Sequence, residues 1–274
     1  MRILAANNGH LVASKTRDAR PDTFTLAADS RFRRYGPIDK HEARQPDVTG
    51  QSFAERARKA SQMLRSMDPE KVKQVIEFHR GLNFFEALAL AKREGKLIVP
   101  NDIHDRILTE TTDEQYLRAN HSVWTGTLVI YEAPDKKFGK NVIFSWEHNK
   151  VKYSFSFNVP EQFRGKANCA LVIEHPDFEL MALGDNRYEL RVDERSVHQV
   201  ESFAKENSWH RYDAETGIPH GEAVKESSDA RHLWRLKDSS YLGPVARDYY
   251  FDYRRVVGLG NWPSGGYGVA LWPI

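Results

Sequence analysis

The chain is poor in the residues that staple small folds: among 274 residues there is one cysteine, Cys169. That scarcity excludes an intramolecular disulfide framework and a multi-cysteine zinc site. Cys169 sits in the apolar run NCALVIE, where a small buried hydrophobe is its expected role. No segment approaches the ~20 consecutive apolar residues of a membrane-spanning helix. The opening, MRILAANNGHLVASK, lacks the apolar stretch of a secretory signal. The expectation is therefore a cytoplasmic chain without a membrane partner. No G-x-G-x-x-G follows a strand, and neither G-x-x-x-x-G-K-[ST] nor G-x-S-x-G occurs, so phosphate-cradling loops and the hydrolase elbow have no support. Eleven histidines are scattered without a pair at zinc-finger or H-E-x-x-H spacing. No cofactor, metal or catalytic residue is assigned from these absences. Internal repeats and low-complexity tracts are also missing.

What is present is the composition of a globular protein: 40% hydrophobic, 11% aromatic and 28% charged residues. The net charge of +2 is unevenly placed, because residues 1–75 hold fifteen Lys or Arg against nine Asp or Glu. Residues 1–50 carry only short apolar pieces between Arg, Asp, Asn and Pro, and read as a basic, loosely structured arm. Such an arm is a route to nucleic acid or an acidic partner, although Asp18, Asp22, Asp29 and Asp39 dilute it.

Residues 51–274 read as one α+β domain. Helical spacing runs through SFAERARKASQMLRSM. Asp68 caps and Pro69 opens a second helix, PEKVKQVIEFHR, which Gly81 is expected to stop. Asn83 caps a third, FFEALALAKREG, ended by Gly95, and a short strand KLIVP follows. These helices occupy 52–110. From 123 to 195 the period becomes two: Thr127–Tyr131, Asn141–Trp146 and Lys150–Val159 are strands, the last two joined as a hairpin near His148 and Asn149. Runs at Ala170–Glu174 and Tyr188–Val192 extend an antiparallel β-meander. A helix over 196–206 and a polar connection over 207–228 are expected next. Helices followed by a meander argue for α+β rather than alternating α/β.

Two clusters carry candidate chemistry. In VPNDIHDRIL, Asp102, His104 and Asp105 offer two carboxylates and an imidazole to a divalent metal, as in a hydrolase or nuclease. The same residues are explained by Asn101 or Asp102 capping a helix whose start favours acidic side chains. Glu174, His175 and Asp177 form a second cluster, which Pro176 makes look like a turn.

The densest signal is the tail. Residues 239–274 hold eight of the chain's aromatics and six of its glycines, the usage of a binding surface in which stiff Tyr and Trp provide area and Gly adapts the backbone. Arg254 and Arg255 can anchor a ligand or brace the loop. Phe251, Val256, Val257, Val269, Leu271 and Trp272 are equally placed for core strands, here expected at Tyr249–Val257 and Gly268–Trp272 around an exposed loop, GLGNWPSGGY.

FFEALALAKREGKLIVPNDIHDRIL, together with SSDARHLWRL through YRRVVGLGNWPSGGYGVALWPI, resembles the C-type lectin-like fold of formylglycine-generating enzymes and of bacterial variable proteins diversified by retroelements. The chain departs from the family in its Gly95–Pro100 segment and in lacking a GGSW motif, and the cysteine pair of the catalytic members is absent. What the resemblance implies is a C-type lectin-like body with a β-meander insertion and a C-terminal variable-type region over 228–274. The oxidase activity is not implied. The implied ligand-facing residues are Tyr249, Tyr250, Asp252, Tyr253, Arg254, Asn261, Trp262, Ser264 and Tyr267, toward a protein or carbohydrate ligand. The sequence reading is thus a non-enzymatic binding protein, with the metal-dependent hydrolase or nuclease as its rival.

Overall fold

The computed structural model describes residues 51–113, 122–148, 150–234, 236, 238–250, 253–260 and 267–274. Of Tyr249, Tyr250, Tyr253 and Arg254 it describes the backbone alone. The expected arm over 1–50 lies outside the described residues, which all belong to one compact unit within Pro37–Ile274.

Helix α1, Phe53–Ser66, begins at a capping box in which Ser52 and Glu55 satisfy each other's backbone N–H groups, and it buries Ala57, Ala60, Ser61 and Leu64. Helix α2, Pro69–Val75, has the expected Asp68 cap and Pro69 start. It stops five residues before the expected end, because Glu77–Leu82 is a strand, β1. That strand pairs antiparallel with the last one, Tyr267–Pro273, and the ladder overrides local helix propensity. Gly81, at φ 73°, accompanies the register shift between Arg80 and Leu82 instead of ending a helix. Helix α3, Phe84–Glu94, has the expected Asn83 cap, which Glu86 completes as a capping box, and ends at the expected Gly95, in the left-handed conformation. Strand β2, Lys96–Ile98, leads into α4, Asn101–Glu110. Neither Asn101 nor Asp102 caps α4: the N-cap is Pro100, which has no side-chain donor or acceptor to offer, and the Asn101 N–H donates instead to Thr127 Oγ1 at 3.0 Å.

The strands divide between two sheets. Strands β4, Asn141–His148, and β5, Val151–Asn158, form the expected hairpin, with Tyr153, Phe155 and Phe157 buried on alternate positions. They join β7, Phe178–Gly184, and β8, Arg187–Val192, in the order β4-β5-β8-β7, and β5 runs parallel to β8. The expected meander is therefore split, because β3, Ser122–Tyr131, and β6, Ala170–Glu174, belong to the larger sheet. In place of a helix over 196–206 there is a 3-10 turn, Glu194–Ser196, and strand β9, His198–Val200, which pairs with β6. The polar connection contains β10, Trp209–Tyr212, and β11, Pro219–Ala223, an antiparallel pair. Strand β12 is Arg231–Trp234. The stretch expected as one strand at Tyr249–Val257 belongs to two, β13, Tyr241–Tyr250, and β14, Tyr253–Leu259, which pair antiparallel. With β15, Tyr267–Pro273, the large sheet runs β1-β15-β3-β13-β14-β12-β10-β11, with β2 on β15 and with β6 and β9 branching from β3. Helices beside mixed, mainly antiparallel sheets make the protein α+β.

The helices cover an apolar cluster in which Leu64, Val72, Ile103 and Ile107 meet Leu97, Ala270 and Trp272 of the strands. A second cluster joins Val129, Val172, Leu233, Val245 and Val257. Cys169 is buried, as expected, and burial pushes its thiol pKa up, away from nucleophilic chemistry.

Candidate functional site

Strand register gathers most of the tail at one end of the large sheet. Val123 pairs with Arg247 on one side and with Gly268 on the other, Ser122 pairs with Asp248, and Tyr267 pairs with Leu82. Tyr250 and Tyr253 pair two residues beyond Asp248. The end of β1, the start of β3, the β13–β14 hairpin and the start of β15 thus share one edge of the fold. The sequence-assigned Tyr249, Tyr250, Tyr253, Arg254 and Tyr267 lie on these strands. Asp252, Asn261, Trp262 and Ser264, and the core candidate Phe251, lie outside the described residues.

Under this edge sits Trp124, fully buried, whose Nε1 donates to the Leu82 carbonyl at 3.1 Å. The half-buried Tyr267 ring lies against its indole, tilted by 32° with centroids 4.3 Å apart, and Phe84 meets it edge-on at 5.8 Å. Gly260 approaches the same indole so closely that a Cβ there would lie 2.1 Å from a ring carbon. Gly260 is further fixed by its N–H donating to the Pro244 carbonyl at 3.0 Å and by the Tyr241 hydroxyl donating to its carbonyl at 2.5 Å. Both residues that flank 261–266 therefore rest on one rigid aromatic ring.

Arg255 braces rather than reaches out. Its guanidinium lies over Trp209, 5.4 Å from the ring centroid, and donates to the Ser227 carbonyl and to Glu226 Oε1 at 3.3 Å.

The rival trio on α4 does not converge. Asp102, His104 and Asp105 are 6%, 2% and 3% exposed. Asp102 accepts from Arg65 Nε at 2.7 Å and Nη2 at 3.1 Å. Asp105 is clamped separately: Arg231 donates through Nε at 2.6 Å and Nη2 at 2.5 Å, while Arg247 Nη2 lies 2.7 Å from Oδ1. Burial, with Arg247 nearby, pushes the His104 pKa down to about 3, so its imidazole is neutral. A carboxylate whose two oxygens face two buried guanidiniums is a poor metal ligand, because the cations hold the place an ion would take. A different trio, Glu77, His79 and Glu94, brings ligand atoms within 4.8 Å of one another. There the Lys96 ammonium already stands 2.6 Å from Glu77 and 2.9 Å from Glu94.

Glu174, His175 and Asp177 form the expected turn: the Asp177 N–H donates to the Glu174 carbonyl at 2.7 Å across a cis His175–Pro176 bond. His175 Nδ1 accepts from the Ile98 N–H at 3.3 Å, and burial pushes this ring's pKa down to about 4. Arg65, Arg231, Arg247 and Trp124 escape sequence reasoning, since each is an ordinary residue of its type until distant chain segments meet around it. The VWTGT run around Trp124 was the one available hint, an indole inside a strand followed by Gly126, whose Cβ would strike the Ile98 carbonyl at 2.2 Å.

No protein-family model, curated protein or solved structure matches this chain.

Proposed function

We propose that the chain is a non-enzymatic binding protein with a C-type lectin-like body, presenting an aromatic, glycine-rich C-terminal surface to a protein or carbohydrate, in the manner of proteins diversified by retroelements. The observation that carries this reading is the seating of Gly260 and Tyr267 on Trp124. A segment rich in Trp, Tyr, Asn, Ser and Gly, tethered at both ends to a buried indole, has the division of labour of a recognition surface: fixed framework, adaptable contacts. A second support is that the two stretches bearing the family resemblance are neighbours in space. Strand β2, which follows the alanine-rich α3, pairs with β15 at Ile98–Leu271. The catalytic alternative is weakened by the commitment of Asp105 to Arg231 and Arg247.

A photo-crosslinking side chain placed at Trp262 should capture the ligand, whereas the same group at Ile143, 72% exposed on β4, should not. Equal capture at both positions would sink the assignment of the binding face. A glycan array probed in parallel separates a sugar from a protein ligand.

A further inference from the structure

The smaller sheet ends on one side in β4, which pairs with β5 and, among the described residues, with no other strand. Its eight residues hold one unbroken register, from Asn141 opposite Asn158 to His148 opposite Val151. One step before the strand, the Val159 N–H donates to the Lys140 carbonyl at 2.9 Å, and bonded and non-bonded pairs alternate along an antiparallel ladder. Val142, Phe144 and Trp146 therefore turn their main-chain N–H and C=O groups toward β5. Asn141, Ile143, Ser145 and Glu147 turn theirs outward.

The other outer strands each carry a device that blunts them. At the far side of the same sheet, β7 breaks register between Ala182 and Gly184, and its Glu179 lies 3.8 Å from Lys92 of α3. In the large sheet, β1 shifts register between Arg80 and Leu82, and β11 begins at Pro219 and shifts against β10. Strands β2 and β9 are three residues long. Strand β4 has no Pro, no Lys and no irregularity. It carries instead Ile143, 72% exposed, the most exposed large apolar side chain among the described residues. A regular open ladder with an isoleucine on it is an edge that a further strand can extend.

The sequence of β4 complements itself. Opposed residues of an antiparallel pair share a face, so a two-fold axis perpendicular to the sheet sets odd positions against odd and even against even. With Ile143 opposite its own counterpart, Asn141 meets Ser145 on that face, and Val142 meets Phe144 on the other, each pair occurring twice. Glu147, the only Asp, Glu, Lys or Arg in the strand, falls opposite Gly139, clear of its own copy. No like charges oppose each other, and the exposed isoleucine gains apolar cover. We propose that β4 pairs antiparallel with β4 of a second copy of this chain about a two-fold axis at Ile143, joining two four-stranded sheets into one of eight strands.

One strand per copy makes a small interface, so a concentration-dependent equilibrium between monomer and dimer is expected rather than a permanent dimer. The contact uses no residue of the C-terminal edge, and its failure leaves the ligand reading untouched. A photo-crosslinker at Ile143 should join two chains, a product distinct in mass from the ligand adduct at Trp262.

Sedimentation velocity of the full chain over about 1–200 μM is the test, and monomer should give way to dimer as concentration rises. Ile143→Lys opposes two ammonium groups at the axis and should weaken the dimer at least about tenfold. An unchanged melting temperature at low concentration shows that this exposed position leaves the monomer folded. The register is read separately with cysteine variants under mild oxidation, against the parent, whose single cysteine is buried, as the blank. Ile143→Cys should form an intermolecular disulfide, because Cα atoms of a directly opposed, hydrogen-bonded pair stand about 5.5 Å apart, inside the range a disulfide spans. Ser145→Cys should not, since its counterpart lies four residues along the strand, or about 14 Å. A monomer at every concentration overturns the proposal and leaves the edge to a strand of another protein. A dimer that Ile143→Lys does not weaken, or equal oxidation of the two cysteine variants, overturns it as well.

Discussion

Gly260 lies against Trp124 with room for a hydrogen atom and nothing larger, since a Cβ would stand 2.1 Å from the indole. Neither partner yields easily: Trp124 is hemmed by Phe84 and Tyr267 and bonded to Leu82, and Gly260 is held by Pro244 and Tyr241. Gly260→Ala should therefore cost about 1–3 kcal/mol through overpacking. Thermal denaturation reads the loss directly, and a variant as stable as the parent would show that the indole is free to move.

Asp105 balances two arginines that are almost wholly inside the protein. Asp105→Asn keeps the shape and removes the charge, leaving Arg231 and Arg247 to repel each other in a dry environment. A loss of about 3–5 kcal/mol in denaturant unfolding is expected. A change below 1 kcal/mol, about the size of an exposed ion pair, would mean that water reaches the pair.

The α4 trio also predicts indifference to metal. Adding Mn²⁺, Mg²⁺ or Zn²⁺ should leave the melting temperature where it was, because Asp105 has no oxygen free of a guanidinium. A clear upward shift that disappears in Asp102→Asn would restore the metal-dependent hydrolase reading.

Acid should destabilise the fold through its buried imidazoles. His104 and His175 have folded pKa values depressed to about 3 and about 4, so below pH 6.5 the unfolded chain takes up two protons that the folded chain refuses. Stability present above pH 6.5 is lost as pH falls toward 4. Glu174 works in the opposite direction, since its raised folded pKa of about 7 lets the folded state bind a proton first, which adds stability as pH falls toward 4.5. The wild type should lose stability below pH 6.5, and Glu174→Gln should lose it more steeply. Imidazole nitrogen shifts at pH 5.5 should show both rings neutral, and protonated rings there would contradict the assignment.

Local signals reached as far as local physics decides. The caps at Asp68 and Asn83, the stop at Gly95 and the β4–β5 hairpin were legible because a few adjacent residues determine them. Strand β1 was not, because EFHRGL has no strand alternation of its own and becomes extended only when β15 supplies the partner ladder. The short strands β9, β10 and β11 failed for the same reason. At the tail, apolar Val256, Val257, Val269, Leu271 and Trp272 were recognisable as core. The hairpin between Tyr250 and Tyr253 was hidden by four aromatics among residues 249–253, which read as an unbroken strand. Among the candidate chemical residues, composition drew the eye to Asp102, His104 and Asp105, but their arginine partners stand 37, 126 and 142 positions away along the chain, beyond any spacing rule.

The central claim is that the C-terminal edge recognises a ligand rather than merely closing the sheet. Its most direct test is a paired measurement on Tyr253→Ala/Trp262→Ala: ligand capture, quantified against the parent, and melting temperature on the same samples. The account predicts capture reduced at least about tenfold, the loss of two aromatic anchors, with the melting temperature nearly unchanged. Undiminished capture, or a collapse in stability that accounts for the loss, would contradict it.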